Sequence, residues 1–190
     1  MNWINEIVTP YGGLINTAST FAIAIFTIVL ACVGYRQSRD ARILQRAYLD
    51  AKFGGIQTNT AGDLVGHVTF KNVGHLPAAS VFWLVNLSSG YADWKPEKIR
   101  SRDTMGESVL PIGAEWPRGS PSLPHPQENP KGLYIYVWGR VTYRDGFKWR
   151  KRRLDFCHRY PWEKRETPTG GGVKISTEWA RYHDVGNYAN

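Results

Sequence analysis

Residues 133–160 read LYIYVWGRVTYRDGFKWRKRRLDFCHRY, and the fold class turns on them. Leu133–Tyr143 is dominated by β-branched and aromatic residues, Arg144-Asp145-Gly146 follows, and Phe147–Tyr160 is a second β-patterned run. An Asp-Gly turn between two such runs marks a β-hairpin, because Gly takes a positive φ at no steric cost. The second run changes phase: Phe147 and Trp149 fall on odd positions, whereas Leu154, Phe156 and His158 fall on even ones. Side chains alternate faces along a strand, so a bulge within Arg150–Arg153 is expected to bring both sets to the core.

Upstream, Tyr48–Phe53, Leu64–Phe70 and Ala78–Leu87 are short β-branched or aromatic runs, separated by Gly54-Gly55, Asn59–Asp63 and Lys71–Pro77. Ser88–Gly132 holds seven of the eleven prolines, and only Glu107–Ile112 within it has strand character. Trp94 and Trp116 lie in that region, where packing onto the sheets is favoured over display to a ligand, since large aromatics are mostly buried. Downstream, Pro161, Pro168 and Gly170–Gly172 break the chain before Val173, Ile175, Thr177 and Trp179, whose alternation predicts a terminal edge strand. His183–Asn190 reads as a frayed tail. Short strands punctuated by turn residues make this a mainly β domain, a sandwich or a barrel.

One sequence pattern narrows the choice. Phe70-Lys71-Asn72-Val73-Gly74-His75-Leu76-Pro77-Ala78-Ala79, then an apolar strand, then Val109-Leu110-Pro111-Ile112-Gly113 resembles the N-x-G…A and L-x-P-G pattern of bacterial immunoglobulin-like adhesion-type modules. The second half departs from it, with Ile112 standing between Pro111 and Gly113. The layout as a whole resembles uncharacterised bacterial single-span membrane proteins with a small immunoglobulin-like β-domain. The resemblance implies an immunoglobulin-like antiparallel β-sandwich and carries no activity with it.

The anchor in that layout is TASTFAIAIFTIVLACVGY, residues 17–35, within an uncharged run from Ile7 to Tyr35. About 20 consecutive apolar helical residues cross a bilayer's hydrocarbon layer. A cleavable signal needs a basic flank ahead of its apolar core. Here the first 35 residues hold no Lys or Arg, and Glu6 is their only charge. Val29-Leu30-Ala31-Cys32 matches a lipidation box only loosely, so an uncleaved signal anchor is the favoured reading. Arg36, Arg39, Arg42 and Arg46 follow the run directly, and basic residues beside a span stay on the cytoplasmic side. The expected organisation is therefore an extracytoplasmic N-terminus (1–13), a transmembrane helix (14–35), a basic juxtamembrane helix (36–46), a cytoplasmic β-sandwich with a long Pro-rich loop (47–168, loop 88–132), and a terminal edge strand and tail (169–190). The setting is a bacterial inner membrane.

The formal net charge is +8, and from Ala47 onward 20 basic residues face 14 acidic ones. Such a balance favours anionic partners. The candidate contacts to an anionic surface are the helical stripe Arg36, Arg39, Arg42 and Arg46 and the strand cluster Arg150, Lys151, Arg152 and Arg153, with Lys148 beside it. Lipid headgroups are the favoured ligand, and nucleic acid stacking on Trp149 is a less favoured one. The bland alternatives are a topology signal for the first set and a charge-protected sheet edge for the second.

No catalytic, cofactor or metal signature emerges. Cys157 and His158 are adjacent, and adjacent strand residues point to opposite faces, so they form no nucleophile–base couple. The five histidines have no zinc-type spacing, and Cys157 is the only cysteine of the soluble part. With Cys32 in the apolar run, no disulfide framework exists. The sequence thus predicts a non-catalytic, membrane-anchored binding or scaffolding module. Its expected partners are the bilayer and a protein docking on an exposed edge strand or the Pro-rich loop.

Overall fold

A computed structural model describes residues 3–100, 104–126, 130–147, 151–168 and 171–189. The chain divides into two compact units, Met1–Leu44 and Gln45–Asn190. The first is helical: α1 spans Trp3–Gln45. Its segment Asn16–Gln45 is long and apolar enough to cross a membrane, with an 18-residue window in it that reaches a mean hydropathy of 2.1 and has no share buried. The hydroxyls of Thr17, Thr20 and Thr27 donate to the carbonyls of Gly13, Asn16 and Ile23 at 2.8–2.9 Å. Hydroxyls satisfied within their own helix add little polarity to an apolar surface.

Among the described residues the second unit has ten strands: β1 Leu49–Thr58, β2 Leu64–Asn72, β3 Ala78–Gly90, β4 Met105–Leu110, β5 Glu115–Gly119, β6 Tyr134–Arg144, β7 Lys151–Pro161, β8 Lys174–Ile175, β9 Arg181–Tyr182 and β10 Tyr188–Ala189. They form two antiparallel sheets, one ordered β5-β2-β1-β8 and the other β10-β7-β6-β3-β4, with β9 also on β7. Both sheets contribute to one core, in which Ile56, Leu64, Val68 and Phe70 of the first meet Val81, Ile135, Val137 and Tyr160 of the second. Alternation explains who goes in. Along β2, Leu64, Gly66, Val68 and Phe70 are buried while the residues between them are half-buried. Gly66 is required by close approach of the sheets, since a Cβ there would lie 2.5 Å from Val137.

The two central strands of the hairpin pair as expected, from Tyr134↔Pro161 to Arg144↔Lys151. That register is unbroken, so β7 carries no bulge between Lys151 and Arg153; Lys148, Trp149 and Arg150 lie outside the described residues. The even phase of β7 faces the shared core through Phe156 and Tyr160, and the odd phase buries Cys157 against the other side of the sheet. A register shift does occur in β1, between Phe53 and Ile56, so Gly54-Gly55 interrupts a strand and does not end it. Gly55 holds φ +80°, a left-handed conformation that suits Gly.

Three further expectations are corrected. Glu115–Gly119 is a strand, within the region read as irregular. Only Lys174–Ile175 of the terminal run is extended, and Ser176 caps a short 3-10 helix over Thr177–Trp179. The tail is paired, with Tyr188 and Ala189 opposite Asp155 and Leu154.

Candidate functional site

The basic strand residues are largely committed to intramolecular contacts. Arg152 Nε donates to Asp145 Oδ2 at 2.8 Å, and this carboxylate is buried. Asp145 Oδ1 also accepts the amide of Phe147, closing the turn. Arg153 pairs with Asp155 and lies 5.4 Å over the Tyr188 ring. Asp155 receives Arg140 as well, through Nε at 2.7 Å and Nη2 at 3.2 Å, with both side chains close to nine-tenths buried. Burial works to raise the Asp155 pKa, but hydrogen bonds from Arg153 and Arg140 outweigh it and hold the carboxyl below its ordinary range. Hydrogen bonding to Asp155 raises Arg153 in turn.

Arg36, Arg39 and Arg42 are exposed on α1, Arg46 stacks on Tyr48 at 4.4 Å, Lys151 is exposed, and Arg150 lies outside the described residues.

A second arrangement concerns the edge of β1. β8 covers it only at Ile56 and Gln57. Elsewhere, side chains of the facing sheet take over: the hydroxyl of Tyr143 accepts the Leu49 amide at 3.4 Å, and that of Tyr160 accepts the Gly55 amide at 3.2 Å. Between them His158 is fully buried, with its ring edge-on to Phe53 at 4.6 Å. Burial pushes the imidazole down to about 4; the Ala51 backbone opposes this in part, although no hydrogen bond of normal geometry reaches either ring nitrogen. Burial likewise raises Tyr160 to about 12. Two phenols thus do for β1, at Leu49 and Gly55, what a neighbouring strand would do, and the imidazole packs between them against Phe53. Beside them an open apolar groove of about 350 Å³ runs past Ala51, Leu154, Phe156, Tyr182 and Tyr188.

The outer face of the second sheet holds a smaller core. Tyr136, Trp138 and Cys157 are buried there beneath Trp94 and Ile99. Trp94 stacks on Tyr136 at 4.5 Å, and the Tyr136 hydroxyl donates to the Tyr91 carbonyl at 2.7 Å. His183 Nε2 meets the Trp94 carbonyl at 2.8 Å, and Asn187 Oδ1 accepts the Cys157 amide at 2.9 Å. Burial raises the Cys157 thiol to about 12, so it is a packed, inert sulfhydryl. Cys157 and His158 do lie on opposite sides of β7, as alternation requires.

One open edge belongs to β4. It pairs with β3 at Ala78↔Leu110, Val81↔Ser108 and Trp83↔Met105, and no strand among the described residues covers its other side. Met105 and Val109 are 66% and 53% exposed along it. Next to it, Arg118 of β5 is held between Trp83 and Trp116, with its guanidinium 4.5 Å and 4.2 Å from the two rings. Sequence reading missed this stack: its members come from two strands, and nothing local announces that they meet.

The chain thus defines a class by its build, one apolar helix followed by a two-sheet antiparallel β domain. Compared with known proteins, it matches no family model, no curated protein and no solved structure.

Proposed function

We propose that this chain is a single-pass, membrane-anchored, non-catalytic binding module whose β domain receives another protein along the open edge of β4. The observation that carries the anchor is an 18-residue window within Asn16–Gln45 that reaches a mean hydropathy of 2.1, none of which is buried. An apolar surface of that length and exposure needs a hydrocarbon environment. Arg36, Arg39, Arg42 and Arg46 orient it with the N-terminus outside and the β domain in the cytoplasm of a bacterial cell.

The strand order supports an immunoglobulin-like sandwich. Lettered A to G, β1–β7 give one sheet E-B-A and another G-F-C, the arrangement of such domains, with the fourth strand moved beside C. An extended segment added to β4 would gain main-chain hydrogen bonds, with side-chain selection by Met105, Val109 and the Trp83–Arg118–Trp116 stack. Because Arg152 and Arg153 are held by Asp145 and Asp155, the basic strand is the weaker candidate for an anionic polymer.

A reporter fused after Asn190 tests the anchor and its direction. A cytosol-folding fluorescent reporter should light up, and the chain should require detergent for extraction. Alkaline phosphatase activity at that position would reverse the orientation, and free extraction into buffer would remove the anchor.

A further inference from the structure

Along one side of the β domain, β4 is the last strand of one sheet and β5 the last strand of the other. Strand register fixes which way the side chains face there. Ser108 and Leu110 lie opposite the buried Val81 and Ala78, so they turn inward, and Val109 between them turns outward. Trp116 and Arg118 lie opposite the buried Phe70 and Val68, so they too turn inward, to the seam between the sheets. Gly106 brings β4 close to this seam, since a Cβ there would run into the Trp83 ring.

A cation is out of place in such a seam. The Arg118 guanidinium sits between the Trp83 and Trp116 rings, which stand edge to face at 5.4 Å. Burial lowers its pKa. Nη1 donates to the Pro117 carbonyl at 3.0 Å, and Nε is buried with no hydrogen-bond partner. β3, β4 and β5 carry two acids between them, and both are engaged elsewhere. Glu107 accepts the Ser80 hydroxyl at 3.2 Å, and Glu115 pairs with Lys52 and Lys71. Arg140, Arg152 and Arg153 each have a carboxylate, whereas among the described residues none pairs with Arg118.

We propose that this seam takes an extended protein segment carrying an aspartate or glutamate, whose carboxylate meets the Arg118 guanidinium while the segment pairs along β4. The proposal rests on the β4-edge reading above and adds to it the chemistry of the partner. A strand laid on β4 alternates its side chains as β4 does, so one set lies beside Val109 and the other hangs over the seam. The two indoles already hold the guanidinium in place, so it loses little freedom when an anion arrives. Its planar fork matches a carboxylate, and a charge-assisted bond made away from bulk water is among the stronger polar contacts. One cation between two rings suits a single carboxylate; a nucleic acid would call for several.

The test uses the detergent-solubilised full chain and two capped heptapeptides, one alternating valine with glutamate and the other valine with glutamine. Titration measures affinity, and hydrogen exchange locates the bound peptide. Both peptides should slow exchange of the β4 amides, residues 105–110, and the glutamate peptide should bind about tenfold more tightly. Arg118→Gln should bring the two peptides to equal affinity. Arg118→Lys keeps the charge without the fork and should fall between. Equal affinity of the two peptides for the unaltered chain, with β4 protected by each, would overturn the proposal and leave the β4 edge standing. Arg118 would then be an inward-pointing charge that guards an open edge. A glutamate preference that survives Arg118→Gln would overturn the proposal as well. If neither peptide protects β4 at millimolar concentration, the edge reading and this proposal fall together.

Discussion

The two ends of the β domain are held by different means. At the near end, where β1 begins and β2 and β4 finish, a single buried amide, Asn72, ties three segments: its Nδ2 donates to the carbonyls of Leu76 at 2.8 Å and Leu110 at 3.1 Å, and its Oδ1 accepts the Gly74 amide at 3.0 Å. At the far end a long segment is held by rings, with Trp94 stacked on Tyr136 at an interplanar angle of 22°. Hydrogen bonds to buried carbonyls have one good geometry, whereas stacked rings tolerate sliding. The near end is therefore the rigid one, and the far end can adjust.

The largest effect should come from breaking the rigid end. Asn72→Ala leaves two carbonyls and an amide without this partner; at about 1–1.5 kcal/mol each, the low end for groups of which one is only partly buried, a loss of about 3–5 kcal/mol is expected. In the detergent-solubilised chain this would lower the melting temperature by about 10–20 °C. Gly74→Ala should act in the same direction, because its Cβ would sit 2.4 Å from the Arg46 carbonyl and the Tyr48 amide. A melting temperature unchanged by either substitution would mean that Asn72 is not what holds this end.

Next in size is a pH effect from the region between the ends. His158 is neutral in the folded chain down to about pH 4, whereas in the unfolded chain it takes up a proton near 6.5. Between these values the unfolded state binds more protons, so stability rises with pH across that window. Its full contribution is present above about 6.5 and is lost as pH falls towards 4, a difference of about 3 kcal/mol. His158→Phe keeps a ring against Phe53 and removes the proton. Denaturant midpoints measured from pH 4 to 7 should then lose most of their slope; an unchanged slope would assign it to other groups.

Sequence alone conveyed the rigid end better than the adjustable one. Asn72, Gly74 and Leu110 could be singled out because turn geometry demands particular residue types at short spacing, although the bonds between the two halves of the motif were not visible. β6 and β7 were legible from alternation and an Asp-Gly turn. β5 was not: Pro117 argues against a strand everywhere except at a sheet edge, which is where it sits. The expected bulge rested on the odd phase of Phe147 and Trp149, which precede β7, and from Lys151 onward the register with β6 is unbroken. The committed state of Arg152 and Arg153 was equally hidden, since Asp145 and Asp155 announce neither pairing nor burial.

The adjustable end should respond locally. Trp94→Ala removes a half-buried indole from Tyr136 and Trp138, at a cost of about 2 kcal/mol confined to the outer cluster. Cys157 reports on it. In a Cys32→Ser background, thiol labelling should accelerate about 30-fold while the global melting temperature shifts little. A large global shift with unchanged labelling would show that the outer cluster and the shared core form one cooperative unit.

The smallest expected effect concerns the tail over the same thiol. Asn187 accepts the Cys157 amide and donates from Nδ2 to the His183 carbonyl at 2.6 Å, in place of a continuous strand between β9 and β10. Its side chain is exposed, so water can replace either bond, and Asn187→Ala should cost only about 1 kcal/mol. That corresponds to about fivefold faster labelling of Cys157. Asn187→Asp separates the two bonds, since it retains the acceptor for Cys157 and sets a carboxylate against the His183 carbonyl. If Asp labels as slowly as Asn, the Cys157 amide bond is what keeps the tail down; if it labels as fast as Ala, the link to His183 does.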